Sequence, residues 1–177
     1  MLLINRKSLL AFFSALLFAS SLVLDKSPSA PVEFSLRSID GQTITSASLH
    51  GEVAVLAFGA SWLPLSKTQL QGIRKLADEY SDRGVVVYWV STESEDPKSK
   101  NFASDEQLRA FAQKYGLKVT VLRDPDGAVS KRLGIDQVPA TIIINKQGQV
   151  AANVSGIDPT ADLAKQLAER LDKVLQG

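Results

Sequence analysis

From Val32 onward, short apolar runs alternate with stretches of helical periodicity. Val53–Phe58 and Val85–Val90 are continuous apolar runs, the signature of central strands covered on both faces. Leu70, Ile73, Leu76, Ala77 and Tyr80 recur at helical spacing. Lys67, Gln71, Arg74, Lys75 and Asp78 fall on the opposite side, which predicts an amphipathic helix over 70–80. Gly84 suits the position just past that helix. Ser104-Asp105-Glu106-Gln107 is a capping-box pattern ahead of a helix that buries Leu108, Phe111, Ala112 and Tyr115. Leu163, Leu167, Leu171 and Val174 predict a last helix, with Asp158-Pro159 as its cap and first-turn proline. Asp124-Pro125 predicts the cap of a short helix that turns Val129 and Leu133 inward.

Shorter strand-type runs complete the pattern. Residues 32–37 and 42–45 flank Asp40-Gly41, a hairpin signal. Residues 119–122 form another run, and 140–144 joins 149–154 through the Asn145–Gly148 turn. Strands alternating with helices and finishing in a hairpin plus helix predict an α/β domain: a central mixed β-sheet with flanking helices in three layers.

Before this domain, Arg6 and Lys7 precede Ser8–Leu24, an uncharged stretch rich in Leu, Phe and Ala. A basic segment followed by an apolar one reads as an export signal over 1–24, with Ala19-Ser20-Ser21 as a cleavage region. The alternative is an uncleaved membrane tether through 8–24, at the short end of the roughly 17–25 residues that span a bilayer. Residues 25–31, with Pro28 and Pro31, are then a linker, and 32–177 the folded domain. The expected location is extracytoplasmic. A formal net charge of +1 gives no overall field to gather nucleic acid, so that partner class is set aside. The absence of cysteine removes disulfides, thiolate metal sites and a cysteine nucleophile.

The candidate chemistry gathers between the first apolar strand and the first helix, in Phe58–Lys67. A turn mounted there is held by rigid scaffold and faces the free N–H groups of a helix start. Trp62-Leu63-Pro64-Leu65-Ser66 resembles the Trp-Cys-Pro-x-Cys loop of thioredoxin-like thiol–disulfide oxidoreductases, with Leu63 and Ser66 at the two cysteine positions. The order of elements over Val32 to Leu175 is similar to the thioredoxin fold, with the N-terminal β-hairpin and mid-domain insertion of the TlpA/ResA-like group and of peroxiredoxins. The resemblance implies a proton-moving glutamate three residues after the second cysteine, where this chain has Gln69. Thiol–disulfide exchange requires a thiolate, and neither leucine nor serine supplies one. Peroxidase chemistry of the related kind requires a cysteine as well.

Other readings of the same residues are poorer. Ser66 as a hydrolytic nucleophile would need a base, and the single histidine, His50, lies in the loop before the central strand, where a lone histidine is more often a solvated or capping residue than a catalyst. Glu93, Glu95 and Asp96 read as a solvated acidic loop rather than a cation site, and no glycine-rich phosphate loop occurs. No cofactor or metal is expected. The resemblance implies a cis-proline at Pro139, facing the loop and presenting the Val138 backbone. Trp62, Leu63, Pro64, Leu65, Ser66, Val138 and Pro139 would then form an apolar groove for an extended polypeptide. The expected function is a redox-inactive binding module; the alternative is an oxidoreductase that borrows thiols from a partner.

Overall fold

The computed structural model describes residues 30–177, so the segment expected to direct export (1–24) and most of the expected linker (25–31) lie outside the described residues. Seven strands form one sheet: β1 (Ser35–Ser38), β2 (Thr43–Thr45), β3 (Val53–Gly59), β4 (Val85–Ser91), β5 (Thr120–Arg123), β6 (Ala140–Ile144) and β7 (Val150–Ser155). Four helices accompany them: α1 (Pro64–Tyr80), α2 (Asp105–Lys114), α3 (Ala128–Arg132) and α4 (Leu163–Gln176). The spatial order is β2-β1-β5-β4-β3-β6-β7. Strands β3, β4 and β5 run parallel, while β6 lies antiparallel to β3 and the outer pairs are antiparallel too. The sheet is mixed, as expected.

Strand alternation sorts the core into two layers. Val53, Val55 and Ala57 of β3 face one cluster with Leu70, Ile73 and Leu76 of α1, Leu108 of α2, and Leu163, Leu167 and Leu171 of α4. Ala54, Leu56 and Phe58 face the other, with Phe34, Leu36, Leu49, Val129 and Leu133. Both faces of β3 are therefore covered, and every residue of it is buried. The all-apolar pattern follows from that burial.

Several boundaries move, each for a visible reason. The α1 helix starts at Pro64 rather than Leu70, because proline at the first helical position needs no N–H partner. Strand β1 starts at Ser35 rather than Val32; the Val32 N–H instead donates to the Gly148 carbonyl at 2.8 Å. The last helix is capped by Asp162, whose side chain accepts from the Lys165 N–H, and not by Asp158. Asp158 closes a preceding turn by accepting from the Thr160 N–H at 2.8 Å. Asp124 does serve the short helix, though that helix begins four residues later: it accepts from the N–H groups of Val129 and Ser130 at 3.1 and 2.8 Å. The capping box at Ser104 and Gln107 is complete.

A charge cluster ties the insertion to the sheet. Asp105, at the start of α2, accepts from Arg37 of β1 and from Arg123 of β5, both at 2.8 Å. Glu95 pairs with Arg37 at 2.6 Å. The two guanidinium groups hold the Asp105 carboxyl below its ordinary value of 3.8, the hydrogen bond from Arg37 being the main cause. A folded-state pKa below the unfolded one gives stability that is present above about pH 4 and lost as the pH falls through the folded value. Asp105→Asn is therefore expected to flatten the acid limb of stability between about pH 5 and pH 2, measured by urea unfolding across that range. An unchanged acid limb would show that the cluster contributes nothing.

Candidate functional site

The loop Ala60–Leu63 leaves the C-terminal end of β3 and enters α1. Leu63 is the N-cap of α1 and gives it no side-chain cap, and the first turn holds no acidic residue. Of the expected site residues, Trp62, Pro64 and Leu65 are exposed, Leu63 and Val138 are half-buried, and Ser66, Gln69 and Pro139 are buried. Among the described residues Trp62, at 62%, and Leu65, at 38%, are the large hydrophobic side chains left exposed. Both belong to this one loop and helix start. That placement is a property of the fold, because neither is far from the core in sequence.

Ser66 and Gln69 turn inward and have become structural. The Ser66 hydroxyl, fully buried, accepts from the Ala60 N–H at 3.2 Å and so closes the loop on itself. Gln69, also fully buried, donates from Nε2 to the Phe58 carbonyl (3.3 Å), the Ala140 carbonyl (3.0 Å) and Thr141 Oγ1 (3.3 Å). Its Oε1 accepts from the Trp89 indole at 3.3 Å. One amide thus links α1 to β3, β4 and β6 beneath the loop. Gly59 makes room for it: a Cβ there would sit 2.8 Å from Ser66 Oγ and 3.0 Å from both Gln69 Oε1 and Trp89 Nε1.

Glu93 corrects the solvated-loop expectation. It is 1% exposed. Its carboxyl oxygens accept from the Ser61 N–H at 3.0 Å, the Ser61 hydroxyl at 2.6 Å and the Ser91 hydroxyl at 3.0 Å. Glu95 turns to Arg37, and Asp96 accepts from the Lys98 N–H at 2.9 Å. The three acids are used separately. A second brace comes from the insertion, where Asn101 accepts from the Trp62 indole N–H at 2.7 Å and donates to the Thr92 carbonyl at 3.0 Å. Neither Glu93 nor Asn101 stood out as a site residue. Glu93 did carry a signal, since it lies two residues past the end of an apolar strand of an α/β domain, and the carboxyl ends of such strands are where sites assemble.

The proline side of the site lies across β3. Ala140 is in register with Phe58, which sets Pro139 level with Gly59, the last strand residue before the loop. The Val138–Pro139 peptide is cis. Val138 also lines a shallow depression of about 300 Å³ with Thr92, Ser130, Ile135 and Gln137. His50 stands before β3 and Ser66 after it, so about seven strand residues at ~3.3 Å each separate their ends. They cannot act as a base and nucleophile pair.

The model of the AhpC/TSA family matches residues 28–153. The chain belongs to the AhpC/TSA family. This family member is 27% identical over 152 residues to the thiol-disulfide oxidoreductase ResA of Halalkalibacterium halodurans, which covers 82% of this chain and 81% of that protein. It is 28% identical over 118 residues to the thioredoxin-like protein YneN of Bacillus subtilis, covering 67% of this chain and 65% of that one. The chain therefore spans just under two thirds of YneN. Among solved structures it is similar to a secreted disulfide oxidoreductase of Mycobacterium tuberculosis, with a TM-score of 0.63, 25% identity, and coverage of 79% of this chain and 95% of that one. The thioredoxin-like fold and the TlpA/ResA-like resemblance stand on these matches. The AhpC/TSA chain described here has no cysteine with which to perform the exchange those names describe.

Restoring the family's acid would test the amide's structural role. A glutamate at position 69 would set its oxygens against the carbonyls of Phe58 and Ala140 in a site without solvent. Gln69→Glu is expected to lower stability by roughly 2–4 kcal/mol at pH 7. The buried carboxyl would bind its proton more tightly folded than unfolded, so the deficit grows as pH rises from about 5 to 8. Denaturant titrations at both pH values check the sign. A deficit independent of pH would mean the site admits water.

Proposed function

We propose that this protein is an exported, redox-inactive thioredoxin-like module that binds an extended stretch of another polypeptide at the loop where its relatives carry their thiols. The observation that carries this reading is the joint exposure of Trp62 and Leu65 on a loop held by Glu93, Ser66, Gln69 and Asn101. An ordered loop that presents large apolar side chains spends little ordering entropy when a partner arrives. In this reading Val138 supplies the other wall and offers its backbone for strand-type pairing. Trp62, Leu63, Pro64 and Leu65 form the contact surface; Ser66, Gln69 and Pro139 lie beneath it and set its shape.

Export is read from Arg6, Lys7 and the apolar Ser8–Leu24 segment, and agrees with the secreted relative. Residues 25–31 serve as the linker, and the segment before them is cleaved or retained as a tether. No helix of the described residues is long and apolar enough to cross a membrane.

Insulin-reduction assays with the purified protein are expected to show no turnover above buffer, and measurable turnover would overturn the redox-inactive reading. Leu63→Cys with Ser66→Cys is expected to give dithiothreitol-dependent insulin reduction, because the half-buried N-cap and the residue one turn later occupy the family's two sulfur positions. Capture of a specific polypeptide from the native envelope should be lost in Trp62→Ala with Leu65→Asp while the melting temperature changes little. Unchanged capture would move the function away from this loop.

A further inference from the structure

Five cations of the described residues are paired with carboxylates, and several others, spread over the surface, are not. Arg37, Lys75, Arg83, Arg109 and Arg123 each have a carboxylate within salt-bridge distance. Lys67, Lys100 and Lys114 have none among the described residues, and all three are exposed. Lys67 and Lys114 share the Tyr115 ring, and Lys100 neighbours the residue that holds Trp62. Lys67 follows Ser66 on the first turns of α1. Its ammonium lies 5.9 Å from the centre of the Tyr115 ring, and that of Lys114 lies 5.8 Å from the same ring. Arg74 converges there too, donating to the Tyr115 carbonyl at 3.1 Å. Lys100 is next to Asn101, the residue that accepts from the Trp62 indole.

Most acids of this region are taken up by other partners, Asp96 being an exposed one that no cation pairs. Glu93 is buried against Ser61, Glu95 pairs with Arg37, Asp105 holds two arginines, and Asp96 caps the insertion. No acidic residue occurs in α1 before Asp78. Across the loop, beside Val138, the depression holds both Lys131 and Asp136, so that side is balanced. Lys67, Lys114 and Arg74 thus meet around Tyr115 on the α1 and α2 side, and Lys100 adds a further cation from the insertion.

We infer that the polypeptide bound at this loop is an apolar segment flanked by acidic residues, with its carboxylates on the Lys67, Lys100 and Lys114 side of Trp62. This rests on the binding role proposed above and adds the chemistry of the partner. Like charges brought together from two helices and an insertion repel one another, and a complementary flank relieves that repulsion while it selects against basic segments.

Two labelled decapeptides provide the probe, sharing a central Leu-Val-Leu and carrying either aspartates or lysines on the flanks. Fluorescence polarisation at low salt is expected to show the acidic peptide binding about tenfold or more tightly than the basic one. The gap should collapse at 1 M salt, where the Debye length falls to about 3 Å. Lys67→Glu with Lys100→Glu should reverse the preference, and Lys146→Glu, in the turn between β6 and β7, should leave it unchanged. Equal binding of both peptides that is still abolished by Trp62→Ala with Leu65→Asp would overturn the acidic partner and leave the binding role standing. Failure of both peptides to bind would overturn the two together. Self-association of the free protein through Trp62, seen by sedimentation, would assign the surface to a second copy and overturn the inference as well.

Discussion

The hydrogen bonds of the Gln69 amide are the constraint on which the rest of this site depends. Strands β3 and β4 finish, and antiparallel β6 begins, at one end of the sheet, and each brings a polar group there that helix α1 would otherwise cover unpaired. A buried amide is one of the few side chains that can donate and accept at once. Its two functions face opposite needs: carbonyl oxygens of β3 and β6 on one side, the Trp89 indole of β4 on the other. Satisfying them in one residue lets α1 pack closely without leaving a buried donor or acceptor unmatched, each of which costs about 1–3 kcal/mol. Gly59 is small because this amide and the Ser66 hydroxyl occupy the space its side chain would need.

The same residues explain how a redox loop becomes a rigid surface. A carboxyl at position 69 can exchange protons but cannot donate to two carbonyls once ionised. An amide does the reverse. Ser66 makes a parallel exchange, since its hydroxyl accepts from the Ala60 N–H and lies fully buried. Leu63 adds apolar area at the helix start. The loop keeps its geometry through hydrogen bonds that it donates to Glu93 and Asn101, and it leaves Trp62 and Leu65 exposed.

The charge cluster around Asp105 serves this arrangement from a distance. Arg123 is nearly fully buried and donates to the Glu93 carbonyl as well as to Asp105. It therefore fixes the backbone of the residue whose side chain braces Ser61. The N-terminal hairpin joins through Arg37, so the insertion, the hairpin and the loop are tied by one set of polar contacts. Paired charges hold the scaffold there, whereas Lys67 and Lys114 lie over the Tyr115 ring without a carboxylate partner.

Local chemistry alone determined much of this protein. Continuous apolar runs require strands covered on both faces, and β3 and β4 are so covered. The Ser104 capping box and the spacing of Leu163, Leu167 and Leu171 fix helices whatever their surroundings, because caps and stripes act within a turn or two. The lack of cysteine denies the chain a thiolate of its own whatever the fold. The start of α1 and the cap of α4 were misplaced because Pro64 permits a helix start that periodicity alone does not reveal, and because Asp158 and Asp162 offer equally good caps. Only the tertiary structure decided the roles of Glu93, Asn101 and Gln69. Each is a polar residue in a segment that reads as surface, and burial depends on strand order, which brings residues 58, 69, 89 and 140 to one point. Sequence spacing shows which residues share a face of one element; it does not show which faces meet.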